Sequence, residues 1–151
     1  MDARVVATNR QASHKYELFD KYEAGIALKG AEVKSIRESR VNLKDSFVRI
    51  IRGEAFLVNC HIGAYSHIQD IRTADPIRMR KLLLKRREID RLSGQVSRKG
   101  HTIVALSIYF KKGLAKVEIA VARGKREFDK RETIRRKIAN REAERAIKRR
   151  K

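Results

Sequence analysis

The sequence is poor in the residues that mark secreted and membrane proteins. It has one cysteine, one proline and no tryptophan in 151 residues. Cys60 cannot form an internal disulfide, and an unpaired thiol agrees with a reducing compartment. No stretch reaches the roughly 18 consecutive apolar residues of a spanning helix, and the N-terminal segment MDARVVATNRQASHK lacks the apolar run and cleavage site of a secretory signal. We therefore expect a cytoplasmic protein without a membrane segment.

Motifs of catalysis are also missing. The sequence contains no Cys-x-x-Cys, His-Glu-x-x-His or Gly-x-Ser-x-Gly motif and no phosphate-binding Gly-rich loop. Cys60 and His61 are neighbours on a predicted strand, so their side chains point to opposite faces and cannot share a metal without distortion. We expect a protein that is not an enzyme and that binds no metal or cofactor. The sequence leaves open whether its scattered acidic residues cluster in space. These acidic residues are Glu23, Glu32, Asp45 and Glu54.

What the sequence has in excess is positive charge. Thirty-eight Lys and Arg residues against eighteen Asp and Glu give a formal net charge of +20. A globular protein of this size carries such a charge at a self-repulsive cost, and the usual compensating partner is a polyanion. Nucleic acid fits better than a membrane surface, because no basic amphipathic helix shows a wide apolar face.

Apolar alternation predicts strands in the first half of the chain. Residues 16–28 place apolar side chains on even positions except Asp20, which predicts a strand with a bend or bulge there. Gly25 would let another backbone approach closely. A short helix is predicted from Ala31 to Arg37. The turn signal Arg52-Gly53-Glu54 predicts a hairpin, with these alternating apolar positions around it: Val48, Ile50, Phe56, Val58, Cys60 and Ile62.

The second half begins with a polar segment from Gly63 to Arg80, which predicts a long exposed connection. Leu82–Leu84 then predicts a strand, and the apolar spacing after it predicts a helix that ends before Gly100. Lys111-Lys112-Gly113 is a second hairpin signal. The predicted core residues here are Ile89, Leu92 and Val96 in the helix, Val104, Leu106, Ile108 and Phe110 on one face of the first strand, and Val117, Ile119 and Val121 in the second.

Together, these elements predict a mainly β fold. About six strands in at least two hairpins, with two helices between them, indicate a small antiparallel β-barrel or sandwich with helices packed at its ends. The hairpins favour antiparallel neighbours over parallel βαβ units. A chain of 151 residues has room for a single hydrophobic core.

The C-terminal segment Lys125–Lys151 carries thirteen Lys and Arg and five Asp and Glu, a net charge of +8 in 27 residues. As a helix it would place Ile134 and Ile138 on one face, with too little apolar surface for a core. Their burial, worth roughly 1.5–3 kcal/mol each, cannot offset ordering the segment at about 1–2 kcal/mol per residue. We expect residues 125–151 to be disordered when free and to fold when phosphates neutralise the cations. The alternative is a solvated tail that touches nothing.

Four segments occur in order from about Thr8 to Ile134: TNRQASHKYEL, YEAGIALKGAEVKSIRESRVNLKDSFVRI, DPIRMRKLLLKRREIDRLSGQV and ARGKREFDKRETI. Together they resemble the small protein B (SmpB) family, the bacterial partners of transfer-messenger RNA. The resemblance implies an oligonucleotide-binding (OB) type β-barrel over residues 1–124 with two to three flanking helices. It also implies that the basic tail, 125–151, is helical on the ribosome.

The resemblance further implies an RNA-binding adaptor in trans-translation, the rescue of ribosomes stalled on messages that lack a stop codon. Such an adaptor binds the tRNA-like domain of transfer-messenger RNA. Its tail enters the decoding region of the small subunit and meets the ribosomal RNA there. Alanyl-tRNA synthetase and elongation factor Tu with GTP are implied as indirect partners.

Carried over position by position, the resemblance also implies site residues. RNA contact is assigned to Asn9, Arg10, Glu23, Lys34, Asn42, Lys44, Lys81 and Leu83, and the cations Arg123 and Lys125 at the end of the last strand are added to steer the RNA or the tail. The tail residues expected to contact the ribosome are Gly124, Lys125, Phe128, Asp129, Lys130, Arg131 and Ile147. Many family members carry a Trp soon after the Ile of ETI, whereas Ile138-Ala139 occupies that region here. Ile147 is then the best remaining apolar contact.

Glu23 is an unusual residue for an RNA-binding surface, because a carboxylate repels phosphate. If it meets RNA, it should accept a hydrogen bond from an exocyclic amine or a ribose hydroxyl, or orient a neighbouring cation. The alternative is a carboxylate at a strand edge that pairs with Lys21 or Lys34.

The rival hypothesis is a structural ribosomal protein or a general single-stranded RNA-binding protein of the same fold. Sequence-tolerant single-strand binders present several stacking aromatics. This chain has five Phe and four Tyr, most at positions predicted to point inward. Recognition of folded RNA by its shape is therefore favoured.

Overall fold

A computed structural model describes residues 4–63 and 76–125, together with Ile138 and Arg141. The two longer ranges form nine strands and three helices. In chain order these are β1 (Arg4–Thr8), α1 (Ala12–Lys15), β2 (Tyr16–Ile26), α2 (Gly30–Arg37), β3 (Val41–Asn42), β4 (Phe47–Ile51), β5 (Glu54–Val58), β6 (His61–Ile62), β7 (Arg80–Leu83), α3 (Arg86–Val96), β8 (His101–Lys111) and β9 (Leu114–Gly124).

Seven strands form one sheet in the order β1-β8-β4-β5-β7-β2-β9, and β8 also pairs with β9. Every pairing is antiparallel. The β8–β9 pairing closes six of the strands into a ring, whose interior holds the main core. β1 lies on the edge of β8 at Ser107–Phe110, beyond the part that pairs with β4. The predicted mainly β, antiparallel fold with flanking helices is confirmed, with closure as this ring of strands.

Both predicted hairpins are confirmed, and their turn residues explain them. Arg52 and Gly53 have φ of 50° and 77°, and Lys112 and Gly113 have φ of 53° and 78°. Two-residue turns with positive φ at both positions match the right-handed twist of the flanking strands. The short turns therefore fix the registers of β4 with β5 and of β8 with β9.

The predicted irregularity of β2 is also confirmed. The β2–β9 register shifts between Leu18 and Lys21, on either side of Asp20. Gly25 allows the predicted close approach, since a Cβ added there would lie 3.2 Å from the Cβ of Leu83 on β7. This contact brings β7 against β2, which matters for the candidate site.

Helices α2 and α3 occur where the sequence predicts them, and each begins at a partial capping box. Glu32 and Glu88, three residues after their respective N-caps, accept hydrogen bonds from the backbone N–H of Lys29 at 2.8 Å and of Lys85 at 3.0 Å. The longest of the three helices in the two described ranges has 11 residues. Within those ranges, no helix is long and apolar enough to cross a membrane.

The predicted core face of β5 is wrong. Ala55 and Leu57 are fully buried, whereas Phe56 and Val58 are only partly buried. The tight turn sets the register, so Leu57 lies opposite a buried residue of β4. Asn59 then adopts a positive φ of 63°, which interrupts the alternation, and the cysteine that follows is buried as predicted. Because the prediction extended the alternation through Asn59, it placed Phe56 and Val58 on the core face instead of Ala55 and Leu57.

The prediction that one face of β8 carries its even-numbered apolar residues is also wrong. The β8–β9 register shifts between Ala105 and Ser107, and a bulge moves the side chains before it to the other face. Val104 and Leu106 consequently lie outside the ring, whereas Ile108 belongs to the main core. The residues buried with Val104 and Leu106 in this second cluster are Ala12 of α1, Ala120 and Ala122.

Candidate nucleic-acid interface

An open groove of about 650 Å³ lies where β2, β7 and the start of α3 meet. Three of the predicted RNA-contacting residues, Glu23, Lys81 and Leu83, line it. The side chain of Leu83 is 56% exposed, because the alternation of β7 buries Arg80 and Leu82 and turns Lys81 and Leu83 outward. Three further cations line the groove, which the sequence did not indicate: Lys85, Arg86 and Lys116. The carboxylates of Glu23, Glu54 and Glu88 also line it, so the groove presents an exposed apolar side chain among four cations and three carboxylates.

Glu23 is held in place by two residues of β8. The hydroxyl of Tyr109 donates to Oε2 of Glu23, and Nζ of Lys111 lies 3.4 Å from the same oxygen. The Tyr109 hydrogen bond lowers the pKa of Glu23, against a smaller opposing effect of burial, and Lys111 lowers it further. Burial and the Glu23 carboxylate together raise the pKa of Tyr109. Glu23 is therefore an oriented carboxylate, and its ion-pair partner is Lys111 rather than the suggested Lys21 or Lys34.

Three other predicted residues meet around the turn that follows β3. The amide of Asn9 donates to the backbone carbonyls of Leu43 at 3.4 Å and of Ala105 at 3.1 Å. Asn42 accepts a hydrogen bond from the backbone N–H of Lys44 at 2.8 Å, which shapes the same turn. The amide group of Asn9 thus fixes the loop that presents Lys44 at the surface.

The residues of this groove and the residues around the turn after β3 are joined on the outer side of the ring. Asn9 and Arg10 line a second open groove, of about 380 Å³, whose wall includes Glu118. Glu118 lies directly opposite Glu23 in the β2–β9 ladder, so the two grooves adjoin. We call this continuous surface the binding face; its charged, amide and exposed apolar members are Asn9, Arg10, Glu23, Glu54, Lys81, Leu83, Lys85, Arg86, Glu88, Lys116 and Glu118, with Lys44 on the adjoining loop that Asn9 holds.

The remaining predicted residues lie elsewhere. Lys34 is on the exposed side of α2. Arg123 is five residues beyond Glu118 on β9, about 16 Å along the strand, and its guanidinium lies 2.6 Å from Glu17. Lys125 donates its backbone N–H to the carbonyl of Lys15 at 3.0 Å, which holds it and Gly124 beside the start of β2. The other predicted tail residues, Phe128, Asp129, Lys130, Arg131 and Ile147, lie outside the described residues.

A buried ion-pair network that sequence reasoning missed supports β7 from below. Arg80, predicted to end an exposed connection, is instead fully buried. Its guanidinium lies 2.7 Å from Glu32 and donates at 2.7 Å to the carbonyl of Cys60 and at 3.1 Å to that of Pro76. Arg78 donates to the same carboxylate. The network joins the first turn of α2 to the strand that carries Lys81 and Leu83.

The ionisation of Glu32 follows from these contacts. Burial alone would raise its pKa, but hydrogen bonds from Arg78, the Lys29 backbone and Arg80 outweigh burial and lower the pKa. Glu32 is therefore a carboxylate that neutralises a buried cation. An isolated arginine gives no sequence signal for such a role, since its partner lies 48 residues away in the chain.

The acidic residues whose spatial clustering the sequence left open each have separate partners. Asp45 lies 3.3 Å from Lys15 and Glu54 lies 3.6 Å from Lys81. In the described ranges, no three His, Cys, Asp or Glu side chains cluster as a metal site would require. Cys60 is buried and burial raises the pKa of its thiol to about 11, whereas His61 is exposed. These two side chains lie on opposite faces, as predicted.

A ring of antiparallel strands whose outer face carries cations around an oriented carboxylate and an exposed leucine is a β protein with a surface suited to a polyanion. The family model described as SmpB protein matches residues 6–149. The chain belongs to the SmpB family, as the sequence resemblance suggested.

Similar proteins agree with this assignment. The SsrA-binding protein of Caldanaerobacter subterraneus subsp. tengcongensis is 52% identical over 147 residues, which cover 97% of this chain and 92% of that protein. The SsrA-binding protein of Geobacillus thermodenitrificans is 50% identical over 149 residues, with 99% and 96% covered. A solved chain from the work "tmRNA-SmpB: a journey to the center of the bacterial ribosome" superposes with a TM-score of 0.69 at 48% identity, over 86% of this chain and 94% of that chain.

Proposed function

We propose that this protein binds the tRNA-like domain of transfer-messenger RNA and delivers it to stalled ribosomes, as an RNA-binding adaptor in trans-translation. The observation that carries the proposal is the meeting of Glu23, Lys81 and Leu83 in one groove. Similarity to proteins named SsrA-binding protein, which are 50% and 52% identical over nearly the full length of the chain, supports it. The protein is an adaptor and not an enzyme, and it acts in the cytoplasm, where ribosomes translate.

The binding face suits a folded RNA. Lys81, Lys85, Arg86 and Lys116 neutralise phosphates, and release of the counterions drives binding. Leu83 packs against the sugar or base surface between them. Both internal contacts of Glu23 use Oε2, so in the described part of the chain Oε1 is available to accept from a ribose hydroxyl or an exocyclic amine. Asn9, Arg10, Asn42 and Lys44 extend the contact past Glu118, while Lys34, Arg123 and Lys125 contact RNA from other sides of the ring.

The basic segment 125–151 acts as a second functional unit after the RNA-binding unit, 1–124. We propose that it gains its order on the ribosome, where it folds as a helix in the decoding region of the small ribosomal subunit. Its net charge of +8 favours a phosphate-rich surrounding. The contacts we propose there are made by Gly124, Lys125, Phe128, Asp129, Lys130, Arg131 and Ile147. Alanyl-tRNA synthetase and elongation factor Tu with GTP act on the same RNA complex.

Purification of the tagged protein from a bacterial lysate, followed by sequencing of the RNA that comes with it, tests this proposal. We expect one dominant species, transfer-messenger RNA, enriched over a purification of the tag alone. A mixture of ribosomal RNA fragments without such a species would favour a ribosomal or general RNA-binding protein and would contradict the proposal.

A further inference from the structure

A stacked aromatic pair lies outside the binding face, near the end of the ring where β9 finishes. The rings of Phe19 and His101 stack with centroids 5.6 Å apart and an interplanar angle of 24°. Phe19 is 44% exposed, because it stands in the irregular part of β2 between Leu18 and Lys21. The imidazole ring is held in turn by a contact of 3.2 Å between Nδ1 and the carbonyl of Lys99. The pair is thus an ordered aromatic surface that is open to solvent.

Cations border this aromatic pair on two sides. Arg98 and Lys99, both exposed, immediately precede Gly100 and His101 in the chain. Arg123 lies opposite His101 in the β8–β9 ladder, and its side chain passes 3.9 Å from the Cβ position of Gly100. Arg123 is positioned by Glu17, at 2.6 Å. A flat ring surface beside three cations is complementary to a nucleobase with its flanking phosphates.

We infer that Phe19 and His101 form a stacking site for one unpaired RNA base, with Arg98, Lys99 and Arg123 contacting the adjacent phosphates. The inference rests on the proposed function in so far as the ligand is RNA, and it adds a contact point separate from the binding face. Stacking on the exposed ring of Phe19 is tolerant of base identity, because every base has a π-face. The RNA that supplies the base is either the tRNA-like domain or ribosomal RNA, since both present unpaired bases.

The absence of tryptophan from the sequence permits a direct test. Phe19→Trp introduces a single indole fluorophore at the proposed site, and Leu114→Trp provides a matched control at an exposed position, 62% accessible, at the other end of β9. The two positions are about 26 Å apart along the strand. The full-length variants are titrated with a fluorescently labelled transcript of the tRNA-like domain and, separately, with small ribosomal subunits; anisotropy and sedimentation report binding itself.

We expect at least one of these RNAs to quench the indole emission of the Phe19→Trp protein saturably, with no comparable change in the Leu114→Trp protein. The RNA that quenches the first variant identifies the source of the base. Binding of both RNAs without quenching of the Phe19→Trp protein, or equal quenching of both variants, would overturn the inference and leave the proposed function intact. If neither RNA binds, both the inference and the proposed function are contradicted. If deletion of the residues after Gly124 alone changes the emission of the Phe19→Trp protein, the tail covers the pair and the inference is also overturned.

Affinity gives a second measurement. Phe19→Ala and Phe19→Leu are expected to weaken binding of the responding RNA by roughly five- to hundredfold, the range found when a stacking aromatic is removed. Leucine keeps an apolar side chain in the bulge but offers no ring, so the variant separates stacking from packing. Wild-type affinity of a folded Phe19→Leu protein would overturn the inference.

Discussion

Replacing Glu32 with glutamine is expected to destabilise the protein by about 3–5 kcal/mol, the usual cost of removing one partner from a buried ion pair. Arg80 is fully buried, and glutamine leaves its guanidinium without a compensating charge. Part of the interaction with Arg78 is lost as well. Urea unfolding followed by circular dichroism, with the free energy of unfolding extrapolated to water, measures this loss.

Asp90→Asn is the matched control for Glu32→Gln. Asp90 pairs with Arg86 at 3.4 Å across one turn of α3, and both side chains are more than half exposed. Because exposed pairs contribute little, we expect a change within about 0.5 kcal/mol. Similar losses in the two variants would show that burial of Arg80 does not matter and would contradict the structural role of the network.

The Glu32 contribution should also depend on pH. The pKa of this carboxyl is lower in the folded protein than the ordinary value of 4.5, so folding favours the ionised form. Its stabilisation is therefore fully present above the unfolded pKa, about 4.5, and is lost as the pH falls through the lower folded pKa. The gap in unfolding free energy between wild type and Glu32→Gln should narrow in that window. A gap that stays constant down to about pH 2 would contradict the assignment of the charge.

The second large effect is expected from deleting the residues after Gly124. The binding face lies between residues 9 and 118, and Lys125 is the one proposed contact to the tRNA-like domain that the deletion removes. The shortened protein should therefore bind this domain at about 0.15 M salt with affinity close to wild type. Peptide tagging on stalled ribosomes should be abolished, because the segment that we place in the decoding region is gone. Filter binding and an in vitro tagging assay measure the two properties on the same preparations.

Alanine at Lys130 and Arg131 in the full-length chain serves as the control for this deletion. It keeps the length of the tail while removing two of its thirteen cations. We expect unchanged RNA affinity and reduced tagging. Comparable loss of RNA affinity and tagging on deletion would show that the two properties do not belong to separate parts of the chain.

The local features of the fold were predictable because short stretches of sequence determine them. Arg52-Gly53 and Lys112-Gly113 adopt the positive φ angles that two-residue hairpins need, and the helix spacing located α2 and α3. The faces of β5 and β8 were not predictable by counting, because Asn59 and the bulge beside Leu106 each shift the alternation by one residue. Such irregularities are decided by pairing with distant strands, which a periodic pattern does not contain.

The candidate site also has a part that was predictable from the sequence and a part that was not. Family resemblance pointed to Glu23, Lys81 and Leu83 as single positions, and the pairing of Gly25 with Leu83 explains why they share one groove. The partners that orient them were not foreseeable: Tyr109 reaches Glu23 across 86 residues of sequence. The burial of Arg80 was not predictable either, because nothing in the sequence distinguishes it from the solvated cations among thirty-eight Lys and Arg.

The central claim is that the groove between β2 and β7 holds the RNA, and a salt titration of binding tests it most directly. Affinity for the tRNA-like domain is compared among wild type, Lys81→Ala, Lys81→Ala with Leu83→Ala, and Arg91→Ala, an exposed cation of α3 that lines neither groove. We expect the double variant to bind at least roughly tenfold more weakly and Lys81→Ala to reduce the slope of log affinity against log salt by about 1, with Arg91→Ala unchanged. Equal affinities and equal slopes in all four proteins would contradict the claim.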